Sequence, residues 1–344
     1  MNAYTQSKAD VKMDTSNPKQ KTALVTGANG YIGEAVARAF QRAGFKTLGL
    51  VRTPQSAIVL EKHSIIPITG SAAKYEDVLA AVRTHITAID VIASTTEDKR
   101  NYVQHFTDTM VLFRALAQMS NEQGVCPLVL ITSGCKDYGP GEVDGSHNLV
   151  AHTEEASLNP PPFLKNRTTY SLQALQEDSF DAVVLRPTNV HGGSSSYFGE
   201  FFELAADAKK DGRPLHFDSD PRTIVHSMNV NDCGDAYVAL ANHPNRSEVA
   251  GQCFNVSAGK RYETLREVGH ALVRLYQIPQ GLQFGASERG VLEPSNMLTN
   301  FSQYVSSEKI RSLTGWTDES PMFAQDIRRY QQEYRDAKQG GGGK

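Results

Sequence analysis

Between residues 21 and 187, short apolar runs alternate with amphipathic segments of helical period, and this rhythm predicts a layered α/β fold. KTALVTG (21–27) reads as a buried strand, and YIGEAVARAFQRAG (31–44) carries its apolar residues at helical spacing before a glycine stop. Further strands are FKTLGLV, SIIPIT, AIDVIAS (88–94), PLVLITS (127–133) and DAVVLRP (181–187). Between them lie helices over PQSAIVLEKH, KYEDVLAAVRTH and about Asn101 to Asn121, then a loop and helix before Asp181. Strands with β-branched runs, each followed by a helix, imply a doubly wound parallel sheet with right-handed crossovers. Beyond Pro187 the rhythm breaks into Gly/Ser-rich turns, a helix near Phe198 to Lys210, an extended segment around Thr223 to Val230 and a strand at CFNVS (253–257). These pieces predict a smaller lobe over the sheet edge. The expected organisation is a polar, disordered leader over 1–20, the sheet over 21–187, a lobe over 188–335 with a strand returning near 253–257, and a flexible tail over 336–344.

Composition narrows the class. The 344 residues are 40% hydrophobic and 21% charged, as in ordinary globular proteins. With 35 Lys and Arg against 38 Asp and Glu, the net charge of -3 gives no electrostatic reason to expect a nucleic-acid or anionic-membrane partner. Cys126, Cys135, Cys233 and Cys253 are scattered without metal-ligand spacing, so no metal site is expected and a reducing compartment is favoured. The first twenty residues contain no apolar core of a signal peptide and no later stretch is long enough to span a bilayer, which points to the cytoplasm.

The chemistry-bearing motif is TGANGYIG, with Gly27, Gly30 and Gly33 between the first strand and the first helix. Gly27 permits a tight turn, Gly30 removes a Cβ so that backbone N–H groups approach a pyrophosphate, and Gly33 lets helix and strand pack closely. Placed there, the motif makes 21–187 a dinucleotide-binding Rossmann domain, with Asn29, Tyr31 and Ile32 completing the turn. The second strand ends at Arg52 rather than at an acidic residue, and a guanidinium suits a 2′-phosphate; NADP(H) is therefore favoured over NAD(H). Ser71, after the third strand, contacts adenine or caps a helix.

TGANGYIG, LRPTNVHG (185–192) and IVHSMNVNDCGDAYVAL (224–240) together resemble the extended short-chain dehydrogenase/reductase superfamily of the NAD-dependent epimerase/dehydratase type, over about residues 21–320. The resemblance implies a dinucleotide along the carboxyl edge of the sheet, touching Ser94 and Pro187 as well as the glycine turn, and a substrate lobe after the sixth strand. It also implies a homodimer through the fourth and fifth helices. The family's RPxxVYG carries His191 where tyrosine is usual. Members share a Ser, Tyr and Lys set, with the last two in YxxxK. Here ITSGCKDYG puts Gly134 at the usual serine position with Ser133 before it. In place of YxxxK stands Phe163 to Arg167 in one register, or Pro161 to Lys165 in another, and neither contains the tyrosine. The resemblance is thus to an atypical member. Arg167 or Lys165 would hold the cofactor ribose, but phenylalanine and proline have no titratable group to pass a proton.

Replacement proton donors are His191, Tyr170, Tyr138 and Ser133, each also readable as structural. Tyr197 lies near the same cleft, while His226 and Asp232 are read as anchors of the lobe. Phe198, Phe201 and Phe202 form a packed face that can line an apolar pocket. His147 and His152 sit in a long loop that reads as a lid. The expected activity is NADP(H)-dependent reduction of a carbonyl or enone on a mostly apolar small molecule. The alternatives are a non-redox isomerase, cyclase or dehydratase, and a regulator that senses NADP.

Overall fold

A computed structural model describes residues 20–194, 197–259, 261–285 and 296–340; all but the last residue of the leader, and the final four residues of the chain, lie outside the described residues. The elements run β1 (Thr22–Thr26), α1 (Tyr31–Arg42), β2 (Lys46–Val51), α2 (Pro54–Glu61), β3 (Ile66–Thr69), α3 (Tyr75–Arg83), β4 (Val91–Ser94), α4 (Tyr102–Asn121), β5 (Leu128–Thr132), α5 (Lys165–Gln173) and β6 (Asp181–Pro187). Then follow β7 (Asn189–His191), α6 (Phe198–Lys210), β8 (Leu215–Phe217), β9 (Ile224–Val225), β10 (Ser227–Asn229), α7 (Val230–Ala241), β11 (Cys253–Val256), β12 (Glu263–Thr264), α8 (Leu265–Tyr276), β13 (Leu282–Phe284), α9 (Glu308–Thr314) and α10 (Ile327–Gly340).

The main sheet has the order β11-β6-β5-β4-β1-β2-β3, and each neighbouring pair is parallel. Successive side chains of a strand point to opposite faces, and both faces here are covered, which is why the strand sequences are apolar throughout. Ala23 and Val25 of β1 join Val36, Phe40, Tyr237 and Trp316 under α1 and α7. Leu24, between them, faces Val78, Leu112 and Phe113 of α3 and α4. Gly234 allows α7 to lie directly on α1, because a Cβ there would stand 2.7 Å from the Ala35 carbonyl oxygen.

The lobe has its own core, in which Phe198, Phe201 and Phe202 of α6 pack with Leu265, Leu272, Phe323 and Tyr330. The pair β7 with β10 ties it to the chain leaving β6, and the short pairs β8 with β13 and β9 with β12 join its own segments. Two expectations change. The segment from 336 continues α10 to Gly340, held where Tyr334 and Lys338 both reach Glu203, so it is helix and not tail up to that residue. The loop carrying His147 and His152 is pinned down: the His152 N–H donates to Tyr304 O (2.9 Å), Ser306 N donates to His152 O (2.9 Å), and Glu154 accepts from Asn255 N (2.7 Å). Such a segment is a wall of the structure and not a free lid, although His147 itself is exposed.

Candidate functional site

Because the strands are parallel, their carboxyl ends line one edge, and the strand order reverses beside β1, opening a crevice. Gly27 ends β1 at φ +66°, its N–H donating to Leu50 O (3.0 Å), and Gly30 N donates to Gly27 O (2.8 Å). A Cβ on Gly33 would come within 2.1 Å of Gly27 O and 2.5 Å of Thr95 Oγ1, so only glycine lets α1 begin this close to the strand. Gly30 is the exposed cap of α1 and no side-chain hydrogen bond caps the helix there, the arrangement in which a helix amino end receives an anion. Asn29 is exposed and donates to Ser56 Oγ (3.1 Å), while the Tyr31 hydroxyl donates to the Gly192 carbonyl across the crevice, with Ile32 half-buried beside it. Ser94 and Pro187 are buried at the ends of β4 and β6. Arg52 is exposed just beyond β2, without a hydrogen bond or ion pair among the described residues. Ser71 stands before a short 3₁₀ turn without capping it through its side chain. These residues fit a dinucleotide diphosphate: Gly30 carries no side chain where the anion would rest, and no side-chain hydrogen bond caps the amino end of α1.

The carboxyl end of β5 is organised by Asp137, which is fully buried. It accepts from Arg167 Nη2 (2.7 Å), Thr168 Oγ1 (2.8 Å) and Ser133 Oγ, and Arg186 Nε lies 3.7 Å away. Arg167, the third residue of α5, thereby swings over Gly134, where a Cβ would meet its Nη2 at 3.2 Å. Arg167 is committed to Asp137 rather than extended toward a ribose, and Lys165 is exposed.

The structure separates the four proton-donor candidates and moves most of them out of that role. His191 is 1% exposed, bonded to Ser227 Oγ (3.1 Å) and the Pro321 carbonyl (3.4 Å), and ringed by Phe198, Phe323 and Tyr330. Burial pushes its pKa down to about 3, so it is a neutral core histidine and does not titrate near neutrality. Tyr138 donates to Asn255 Oδ1 (2.7 Å) and accepts from Arg186 Nη1 (3.0 Å), with burial raising its phenol; it is a buried strut. Tyr170 packs against Phe106 and Tyr102, ring centroids 5.5 and 6.5 Å apart. Ser133 is buried and spends its hydroxyl on Asp137. Tyr197 accepts from Lys99 Nζ (2.9 Å) at the surface. His226, its pKa pushed down to about 4 by burial, bonds Ala258 O and accepts from Val305 N, while Asp232 accepts from the amides of Glu319 and Ser320.

Two residues outside the sequence expectations stand here. Tyr102, at the start of α4, is close enough to Arg167 for the guanidinium to act on its phenol, which burial nonetheless raises. Lys136 lies in the 3₁₀ turn Cys135–Tyr138, half-buried, its Nζ donating to the Met297 carbonyl (3.2 Å) and 4.5 Å from the centre of the Phe301 ring. The available signal is a lysine inside ITSGCKDYG itself, two residues after the usual serine position.

A doubly wound sheet with a glycine turn at its switch point and a lobe over its carboxyl edge defines a dinucleotide-binding Rossmann protein of the short-chain dehydrogenase/reductase type. The model of the NAD dependent epimerase/dehydratase family matches residues 23–257, and the chain belongs to that family, which implies a nicotinamide cofactor. Among curated proteins it is similar to dehydrogenase/reductase SDR family member 11 of Bos taurus, 26% identical over 175 residues, covering 46% of this chain and 66% of that one. Among solved structures it resembles dTDP-glucose 4,6-dehydratase from Bacillus anthracis in complex with NAD, with a TM-score of 0.70 at 16% identity, covering 92% of this chain and 97% of that one. It also resembles UDP-glucose 4-epimerase from Thermotoga maritima with UDP-glucose, with a TM-score of 0.69 at 15% identity, covering 92% and 99%. At these identities the likeness is one of fold. Among the described residues, no helix is long and apolar enough to cross a membrane and no cluster of three metal-ligating side chains occurs.

Proposed function

We propose that this chain is an atypical short-chain dehydrogenase/reductase that binds NADP(H) at the glycine turn and reduces a carbonyl or conjugated alkene of a mostly apolar small molecule. The observation that carries the reading is the uncapped amino end of α1 at the sheet's switch point, with the Cβ-free approach at Gly30. The NAD bound in the similar dehydratase supports a dinucleotide in this crevice. Arg52, exposed beyond β2 and without a hydrogen bond or ion pair among the described residues, supports the 2′-phosphorylated form. When bound, the nicotinamide supplies hydride. The residues of the chain do the rest: the first turn of α1 orients the diphosphate, Tyr31 and Gly192 brace the crevice wall, and Arg167 covers Gly134 at the end of β5. The family's usual phenol is absent from both registers of YxxxK, where Phe163 or Pro161 stands in its place.

The test is steady-state absorbance of the reduced nicotinamide with a panel of ketones, aldehydes and enones, with products weighed by mass spectrometry. Substrate-dependent oxidation of NADPH with a gain of two hydrogens supports the proposal. Mass-neutral or water-loss turnover without added nucleotide would overturn it in favour of an isomerase, cyclase or dehydratase.

A further inference from the structure

At the carboxyl end of β5 two cations share one carboxylate, and that carboxylate is already divided. Asp137 serves Arg167, Arg186, Thr168 and Ser133, which leaves nothing for Lys136, the residue before it. The Lys136 ammonium instead has a backbone carbonyl and an aromatic face, from Met297 and Phe301, as its partners. Across from it the Arg167 guanidinium covers Gly134, with three of its atoms within 3.5 Å of a Cβ placed there. Among the described residues, the charged and titratable groups acting on the amine are Arg167 from α5 and Cys135 from its own turn, the first disfavouring its charge and the second favouring it.

We propose that Lys136 is the catalytic proton donor and acceptor of this site, standing in for the phenol that the chain lacks. This rests on the nucleotide-dependent reading above. A reduced nicotinamide bound here would supply hydride to the substrate carbonyl carbon, turning the C=O π pair into a lone pair on oxygen. An N–H proton of Lys136 passes to that oxygen, and solvent reprotonates the neutral amine. Arg167, fixed by Asp137, holds positive charge nearby without itself titrating.

Burial and Arg167 bring the Lys136 pKa down to about 7, so both protonation states are populated near neutral pH, as a proton carrier requires. The other groups do not meet this condition: His191 is pushed far down, and Tyr138, Tyr102 and Cys135 are pushed up.

Two measurements test the proposal. Competitive acetylation of the protein without nucleotide, from pH 5 to 10 and read by peptide mass spectrometry, should titrate Lys136 near 7 while exposed lysines follow about 10.4. Titration of Lys136 with the exposed lysines would overturn the assignment whether or not any nucleotide binds. Lys136→Met, of similar length and without charge, should bind NADP+ within about twofold of wild type by calorimetry, yet lose on the order of 10²-fold or more in turnover. Lys136→Arg should keep the charge and lose the limb of the pH profile near 7. Turnover by Lys136→Met within about threefold of wild type would also overturn it. Absence of nucleotide binding by wild type would instead refute the cofactor reading, leaving the acetylation result to judge the lysine.

Discussion

The substitution Asp137→Asn removes one charge and almost no volume, so its effect isolates what the carboxylate does. The side chain is fully buried, and Arg186 and Arg167 are 3% and 14% exposed at their side chains, so little solvent screens the three charges. The substituted amide would keep one oxygen for Arg167 and Thr168 but present an NH₂ toward Ser133 and the Arg186 Nε. Among the described residues that Nε has no hydrogen-bond partner, and the Asp137 oxygen 3.7 Å away is its counter-charge. Removing one member of a buried ion pair costs about 3–5 kcal/mol, because the remaining guanidiniums stay buried and unbalanced. With a urea dependence of about 3 kcal/mol per molar for a protein of this size, the unfolding midpoint should fall by about 1 M or more. Urea denaturation followed by tryptophan fluorescence and circular dichroism measures this, Trp316 being the single tryptophan. A loss under about 1 kcal/mol would refute the reasoning, since the arginines would then have found water or other acceptors.

Three further outcomes follow from individual contacts. Glu263 is 5% exposed, and burial raises its pKa from 4.5 to about 7, so the folded protein holds this proton more tightly than the unfolded chain. Its contribution is therefore fully present below about pH 4.5 and lost as pH rises through 7; Glu263→Gln should stabilise by about 3 kcal/mol at pH 8 and by under about 1 at pH 5, whereas equal effects at the two pH values in urea denaturation would contradict the burial argument. Gly33→Ala should cost about 1–3 kcal/mol in the same assay, since its Cβ would strike the Gly27 carbonyl, and an unchanged midpoint would mean that α1 can shift freely. Arg52→Ala should weaken NADP+ about tenfold and leave NAD+ unchanged, as one charge-assisted contact is worth about 1.5 kcal/mol; equal loss for both nucleotides would remove the guanidinium from any role in selection.

The sheet is legible in the sequence because burial on both faces writes itself into local runs: TALVT and LVLIT are strands whichever residues cover them. The glycine turn is legible for a similar reason, since its constraints lie within one short motif. The lobe chemistry is not. His191 looks available in sequence, but the groups that seal it, Pro321, Phe323 and Tyr330, come from about 130 residues further along. Lys136 sits inside a stretch that aligns Gly134 and carries no mark of its own; its significance depends on Met297 and Phe301, which no spacing rule connects to β5. The loop around His152 carries Gly, Pro and Asn as a mobile lid would, and only its pairing with Tyr304 and Ser306 distinguishes it from one.

The decisive measurement is a titration of the purified protein with NADPH in a calorimeter, wild type beside Gly30→Val. A Cβ at residue 30 lies 3.1 Å from the Gly27 carbonyl and otherwise points into open space, so the variant folds while its side chain occupies the anion's approach. Saturable one-site binding by wild type, weakened at least tenfold in the variant, is the predicted result. No affinity of wild type for NADPH or NADH, or equal affinity of both proteins, would contradict a nucleotide diphosphate resting on the amino end of α1.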